Sequence, residues 1–203
     1  MRELKRDIET TCLGTQAATT GAAASASVMA GVASWLWNNQ VKSGADTTTV
    51  AVTSGAPKTA PTAGTTAAFT EAQLKSAIAL CWTEGGDPQV IMTNTANKQV
   101  ASAFTGIATQ YRDNAGSMSP AVIVGAADVY ISDFGTHYIV ANRFQPVDNV
   151  YVLDLEYWDI AYLRPIQQTE LAKTGDSDRR LILAECTLRS LAPSSNAKVY
   201  TTT

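Results

Sequence analysis

One side chain in this sequence has the chemistry of a general base at neutral pH, and it is the single histidine, His137. Nucleophilic catalysis would also require a serine or cysteine beside the imidazole and a carboxylate to orient it. The chain has no Gly-X-Ser-X-Gly motif of the kind that exposes a nucleophilic serine. We therefore interpret His137 as a strand histidine on a half-exposed face, and we predict that the protein is not an enzyme.

Several carboxylates in the second half of the sequence are the natural candidates for a metal site. They are Asp128, Asp133, Asp154, Glu156 and Asp159. Their spacing does not fit an EF-hand, whose loop turns at a glycine and closes with a glutamate. No Gly-rich dinucleotide or phosphate-binding motif occurs either. Isolated carboxylates are usually solvated, so we predict no metal and no cofactor.

The three cysteines, Cys12, Cys81 and Cys186, are far apart in the sequence. They form no Cys-X-X-Cys pair and no cluster with histidine, which a zinc site would need. Free cysteine is often buried like a small apolar residue. We predict three free thiols, two of them on apolar faces, in a reducing compartment.

The charge balance limits the classes of partner. The formal net charge is −3 over 203 residues, which argues against a dedicated nucleic-acid binder because such domains usually carry a large basic patch. A container around nucleic acid needs no such patch. The charged start at residues 1–7 is not a signal peptide, and no apolar stretch reaches the roughly 18 residues of a membrane span. We expect a soluble protein made in the cytoplasm, with no membrane partner.

The first half of the chain alternates predicted helices with a low-complexity segment. Apolar spacing predicts a helix over 2–12. Residues 43–68 are almost entirely Ser, Thr, Ala, Gly and Pro, which predicts a long loop. The next helix begins with a capping box, Thr70 as N-cap and Gln73 three residues later. Its predicted apolar stripe is Leu74, Ala77, Ile78 and Cys81.

A buried strand is predicted at 90–92, followed by a helix that Asn94 caps and that carries Phe104 and Ile107 on its apolar side.

The second half of the chain has the patterns of β-strands. Residues 121–145 predict a hairpin in which a strand through Val129 and Ile131 turns at 133–136 and returns over 137–140. Further strands are predicted at 150–153, at 160–163 and at 180–189. We expect Pro165 to end the second of these, and we expect the polar tail from 194 to 203 to fray.

Two features have both a structural and an intermolecular interpretation. Trp35 and Trp37 are large enough to anchor either the core or a contact between subunits. The charged segment 173–180 is either a solvated loop or a loop that forms ion pairs between subunits. The sequence alone leaves both alternatives open.

Several short motifs occur together along the chain. They are Glu3–Glu9, Phe69–Glu71, Asn97–Gln99, Asp128–Gln145, Tyr151–Asp154, Glu156–Trp158, Ala161–Pro165 and Glu170–Ser177. In this order they resemble the major head proteins of tailed phages, which have the Hong Kong 97-type fold. The resemblance extends over nearly the whole chain, although residues 15–68 match only loosely.

The resemblance implies an α+β subunit with a peripheral domain, which holds a spine helix and a strand layer, and an axial domain. We assign residues 1–42 to the peripheral domain and the end of the spine helix, 43–68 to a low-complexity loop, 69–149 to the axial domain, and 150–203 to the return to the peripheral domain and the tail. The helix at 2–12 has no N-cap, so we expect a truncated product that lacks the N-terminal arm and the extended hairpin of the family.

The resemblance also implies a function. Copies of the subunit form hexamers and pentamers, together with other head proteins, and close an icosahedral head in the host cytoplasm that encloses the DNA genome. The candidate interface residues are Trp35, Trp37, Trp158, Lys173, Asp176, Arg179 and Arg180.

Two alternatives remain at this point. The first is an encapsulin-like cellular shell protein on the same fold, which would enclose protein cargo. The second is a β-rich binding or adhesion module, which the Thr/Ala-rich segment 43–68 suggests and which would be a monomer or small oligomer.

Overall fold

The computed structural model describes residues 2–42, 52–53, 56–62, 66–104, 129–172 and 175–200. The helices in these ranges are α1 (Arg2–Leu13), α2 (Val32–Trp35), α3 (Glu71–Thr83) and α4 (Thr95–Ser102). The strands are β1 (Gln40–Lys42), β2 (Val52–Thr53), β3 (Ala56–Pro57), β4 (Val90–Thr93), β5 (Val129–Ser132), β6 (Gly135–Ala141), β7 (Asn149–Leu153), β8 (Trp158–Glu170), β9 (Arg180–Ser190) and β10 (Ala197–Tyr200). The architecture is therefore mixed α+β, and no described helix is long and apolar enough to cross a membrane.

A six-stranded sheet in the order β1-β10-β7-β4-β6-β5 organises the core. Both faces of its centre are covered, as β7 shows with all five residues buried. Val150 and Val152 join an apolar cluster with residues of α3 and α4, whereas Tyr151 and Leu153 join a second cluster with residues of α1 and α2. Such two-sided burial explains why 150–153 is a continuous apolar run with no alternation.

Helix α3 begins where its sequence predicts. The hydroxyl of Thr70 accepts a hydrogen bond from the Gln73 backbone N–H, and the Gln73 side chain accepts one from the Thr70 N–H. This reciprocal arrangement satisfies two N–H groups that a helix start otherwise leaves unpaired. The predicted apolar stripe is buried as well: Leu74, Ala77, Ile78 and Cys81. The predictions of α1, of β4, of the β5–β6 hairpin and of β9 are also confirmed.

The prediction that the C-terminal tail frays is wrong for the residues that the structure describes. Residues 197–200 form β10, which lies between β1 and β7 and is buried throughout. Lys198 is 0% exposed, donates from Nζ to the backbone oxygen of Ala33 at 2.8 Å and lies 4.9 Å from the centre of the Tyr200 ring. Backbone pairing on both edges therefore outweighs the polar composition of this segment.

Two other predicted boundaries are wrong. Strand β8 continues through Pro165 to Glu170, because two register shifts beside Arg164 take the proline out of regular pairing with β9. Helix α4 ends at Ser102, so Phe104 is buried just beyond the helix. Ile107 and the strand residues predicted before Val129 lie outside the described residues.

Part of the low-complexity segment packs against the rest of the chain. Pro57 and Pro61 are buried. The oxygen of Pro57 accepts a hydrogen bond from the Ala18 N–H at 2.9 Å, and that of Pro61 accepts one from the Tyr200 hydroxyl at 3.4 Å. Most of 43–55 and all of 63–65 lie outside the described residues.

A close backbone crossing joins the loop after α1 to the start of α2. The N–H of Gly31 donates to the oxygen of Gln16 at 3.0 Å, and a Cβ atom on Gly31 would overlap the backbone oxygen of Gly14. Only glycine permits this approach, because backbone atoms on the other side cannot rotate away as a side chain can.

We predict that Gly31→Ala lowers the free energy of unfolding by about 1–3 kcal/mol, the usual cost of forcing extra atoms into a packed site. Chemical denaturation of the two proteins measures this difference. Gly21→Ala is the matched control, since its new Cβ comes within 3.0 Å only of the Ser27 hydroxyl, which can rotate away, and stays 3.1 Å or more from the nearest backbone atoms, whereas a Cβ on Gly31 would lie 2.0 Å from the Gly14 oxygen. Equal stability of the two variants would contradict the role assigned to Gly31.

Candidate inter-subunit surface

The β8–β9 hairpin forms a two-stranded sheet that is separate from the six-stranded sheet. Strand β8 has 13 residues, so the hairpin is about 40 Å long at the usual rise per strand residue. Much of its length is exposed on both faces. An isolated two-stranded hairpin is only marginally stable in water. The contacts that attach its base to the core therefore determine where the hairpin lies.

The base of the hairpin is held by Asn196, which lies in the turn before β10. Its side-chain oxygen accepts hydrogen bonds from the Asp154 N–H at 2.7 Å and from the Trp158 indole N–H at 2.9 Å. Its amide donates to the oxygen of Ala192 at 2.9 Å. Leu188 is buried beside the second apolar cluster at the same end. The first residues of β8 and the last of β9 are thus joined to the core.

The outer part of the hairpin carries large apolar side chains in contact with solvent. Leu163, at the first register shift, is 82% exposed. The other exposed members are Tyr162, Leu171, Leu181 and Ile182. Exposed apolar surface on a soluble protein can mark a contact with another protein. The hairpin is therefore the candidate surface for association.

Three ion pairs cross the hairpin from one strand to the other. Arg189 and Asp159 are 2.8 Å apart, Arg164 and Glu185 are 3.2 Å apart, and Arg180 and Glu170 are 3.6 Å apart. Each pair is well exposed, so each contributes little to stability. Along β8 the paired charges are negative, positive and negative, and along β9 they are positive, negative and positive. All three opposite charges meet only in this antiparallel register, so the pattern favours it over shifted registers.

The predicted interface residues occupy several places in the fold. Trp35 is 8% exposed and packs in the second apolar cluster, so its core interpretation applies, whereas Trp37 is 43% exposed. Trp158 is half-buried at the base of the hairpin.

Three of the predicted charged residues come together at the outer end of the hairpin. Asp176 and Arg179 lie in the exposed connection between β8 and β9, and Arg180 begins β9. The fourth, Lys173, lies outside the described residues. The sequence analysis did not identify the exposed apolar side chains of the outer hairpin, such as Leu163 and Leu181. Their occurrence in two long neighbouring strands is the sequence signal that could have identified them.

His137 is buried, at 1% exposure, and the prediction of a half-exposed face is wrong. Its Nε2 lies 2.7 Å from the Ser132 hydroxyl and its Nδ1 lies 2.5 Å from the backbone oxygen of Pro88. Because a carbonyl only accepts, we assign the proton to Nδ1, and Nε2 then accepts from Ser132. The imidazole stacks on Tyr130, which faces it from β5.

This arrangement joins the β5–β6 hairpin to the loop before β4. A catalytic triad places a carboxylate at the nitrogen that here contacts a backbone carbonyl. The Ser132 hydroxyl also accepts a hydrogen bond from the Phe134 N–H at 3.2 Å, as a turn-forming serine does. The geometry therefore indicates that His137 and Ser132 stabilise the turn of the β5–β6 hairpin.

The candidate metal ligands do not form a site among the described residues. Asp154 is buried, not solvated as predicted, and its carboxylate accepts hydrogen bonds from the Asp87 and Glu156 N–H groups at 3.2 Å, which replace the lost contacts with water. Asp159 is in the ion pair with Arg189. Asp128 lies outside the described residues.

The three cysteines are free thiols. Burial raises the pKa of Cys81 to about 12 and that of Cys12 to about 11. Both therefore stay protonated and weakly nucleophilic at neutral pH. The prediction that two of the thiols lie on apolar faces is confirmed, and Cys186 is half-buried in β9.

The chain is similar to phage shell proteins in sequence and in fold. The major capsid protein of Escherichia phage Phieco32 is 27% identical over 160 residues, which are 77% of this chain and 45% of that protein. A chain in the structure "Satellite phage P4 procapsid including size determination (Sid) protein" matches with a TM-score of 0.52 and 13% identity. That match covers 100% of this chain and 61% of the other, and at this identity it shows a common fold alone.

This chain therefore spans less than two thirds of each of these two proteins. In addition, residues 1–203 match the sequence model of the family described as the SU10 major capsid protein. The chain belongs to the SU10 major capsid protein family.

Proposed function

We propose that this chain is a structural part of a phage major capsid protein and that copies of it associate into the shell of the head. The observation that carries the proposal is the β8–β9 hairpin, which is held at its base and exposes apolar side chains along its outer part. Transfer of an apolar side chain such as Leu163 out of water lowers the free energy of the system. Within a shell, a neighbouring subunit supplies the surface that buries it.

The proposal includes the Hong Kong 97-type division into two domains. In it, α1 is the end of the spine helix, residues 1–42 and 150–203 belong to the peripheral domain, and residues 69–149 belong to the axial domain. The six-stranded sheet would be shared, since β1 and β10 come from the peripheral segments and β4, β5 and β6 from the axial segment. This shared sheet would couple the two domains mechanically.

Assembly follows from geometry under this proposal. Contacts between unlike surfaces of identical subunits close rings when the rotation between neighbours returns to its start. Hexamers and pentamers of this kind close an icosahedral head in the host cytoplasm, with other head proteins as partners. The DNA genome is enclosed as cargo. The net charge of −3 agrees with this, because a shell can enclose DNA without binding it tightly through basic side chains.

We predict that Asn196→Ala weakens the attachment of the hairpin and lowers the yield of closed shells. The substitution leaves the Asp154 and Trp158 N–H groups without their acceptor, which costs about 1–3 kcal/mol when such groups are buried. Denaturation of the isolated subunit and electron microscopy of assembled particles measure the two effects. Asn38→Ala, at an exposed position in the loop before β1, is the matched control. The role of Asn196 is refuted if both variants assemble equally well.

The proposed function itself is tested on the native particle that carries this chain. Electron microscopy, intact-mass analysis of the subunit and identification of the cargo form one experiment. We expect closed icosahedral shells with hexameric and pentameric units and with DNA inside. Shells filled with protein and free of DNA would favour the encapsulin-like alternative. A soluble monomer would contradict assembly and favour a binding module.

A further inference from the structure

Strand β9 has an edge that is suited to pairing with another strand. Among the described residues, β9 pairs with β8 alone. The outer edge of β8 is interrupted by Pro165 and by two extra residues at the register shifts, and such features hinder pairing at a strand edge. Strand β9 is 11 residues long and contains no proline, glycine or lysine. Its row of backbone donors and acceptors is therefore uninterrupted.

The charges on β9 are complementary to a second β9 in antiparallel orientation. If Thr187 lies opposite Thr187 of the other copy, Glu185 lies opposite Arg189 and Arg189 lies opposite Glu185. Residues directly opposite each other in an antiparallel pair share a face of the sheet and interact. This register therefore creates two identical ion pairs about a two-fold axis.

The charges already paired within each hairpin extend these contacts. Arg164 pairs with Glu185, and Asp159 pairs with Arg189, in the same chain. Across the two copies, the order on one face becomes Arg164, Glu185, then Arg189 and Asp159 of the second copy. The signs alternate at every step, so the two inner charges, Glu185 and Arg189 of the second copy, each have an opposite charge on either side.

The other face of this register brings no like charges together. Leu188 lies opposite Cys186 of the second copy, and Ala184 lies opposite Ser190. These side chains are apolar or small, and a cross-strand apolar pair such as Leu188 and Cys186 is favourable. Arg180 lies beyond the paired segment, which spans residues 184–190.

We propose that two copies of this chain join edge to edge through β9, centred on Thr187, so that two hairpins form one four-stranded antiparallel sheet. The inference rests on the proposed function and names the partner surface, which is β9 of a second subunit. An identical surface on both partners is what a two-fold contact requires. The pairing also relieves the marginal stability of a two-stranded hairpin, because a four-stranded sheet has two inner strands with both edges bonded.

A disulfide across the two-fold axis tests the pairing. The experiment uses particles assembled from the full-length polypeptide that contains this chain, carrying Thr187→Cys in a Cys186→Ser background. Opposed Cα atoms in antiparallel strands are about 4.5–5.5 Å apart, a separation that a disulfide spans. We expect mild oxidation to shift the subunit to twice its mass on a non-reducing gel. Thr169→Cys, exposed on β8, is the control and stays at single mass.

Charge reversal gives a second test that changes the pairing energy and leaves the linking thiol in place. Arg189→Glu, added to the Thr187→Cys protein, places two carboxylates opposite each other, at Glu185 and at position 189, and we expect loss of the linked dimer. Arg180→Glu, added to the same protein, breaks an ion pair of the hairpin outside the paired segment and leaves the dimer intact.

The outcomes separate this inference from the proposed function. Closed shells in which the Thr187→Cys subunits stay unlinked, or in which Arg189→Glu and Arg180→Glu link equally, would overturn the β9 pairing and leave the capsid function standing. Absence of shells from the unaltered polypeptide would overturn both.

Discussion

A two-stranded ribbon has no interior, so its apolar side chains stay in water unless a second surface covers them. The β8–β9 hairpin is such a ribbon over most of its length, with Leu163 and Leu181 among its exposed side chains. The rest of the described chain stabilises only the base, through Asn196 and Leu188. The molecule thus combines a core that buries itself with an arm that exposes apolar side chains, and in the function proposed above association with other subunits buries them.

The core can hold the arm because both faces of its sheet are packed. Tyr151 in β7 is buried and its hydroxyl donates to the backbone oxygen of Leu13, which fixes the end of α1. Lys198 in β10 donates to the oxygen of Ala33 and so fixes α2 on the same side of the sheet. Segments from both ends of the chain therefore meet on one sheet, and Asn196, two residues before Lys198, is positioned by that strand.

Local signals predicted the elements whose formation depends on nearby residues. The capping box at Thr70 and the turn of the β5–β6 hairpin are complete within a few residues, so their sequences suffice. The strand at 197–200 was missed because its stability comes from β1 and β7, which are distant in sequence. The burial of His137 was missed for a related reason, since its partner Pro88 lies 49 residues away. Asn196 has no local signal at all.

Hydrogen exchange of the β9 backbone tests the central claim, that the hairpin is completed by association. The amides of residues 184–190 that face away from β8 have no backbone partner among the described residues of one subunit, and they gain one in the proposed four-stranded sheet. The measurement compares assembled shells with dissociated subunits, and α3 serves as the internal reference. The account predicts that assembly slows exchange in β9 and leaves α3 unchanged. Equal exchange of β9 in shells and in free subunits would contradict it.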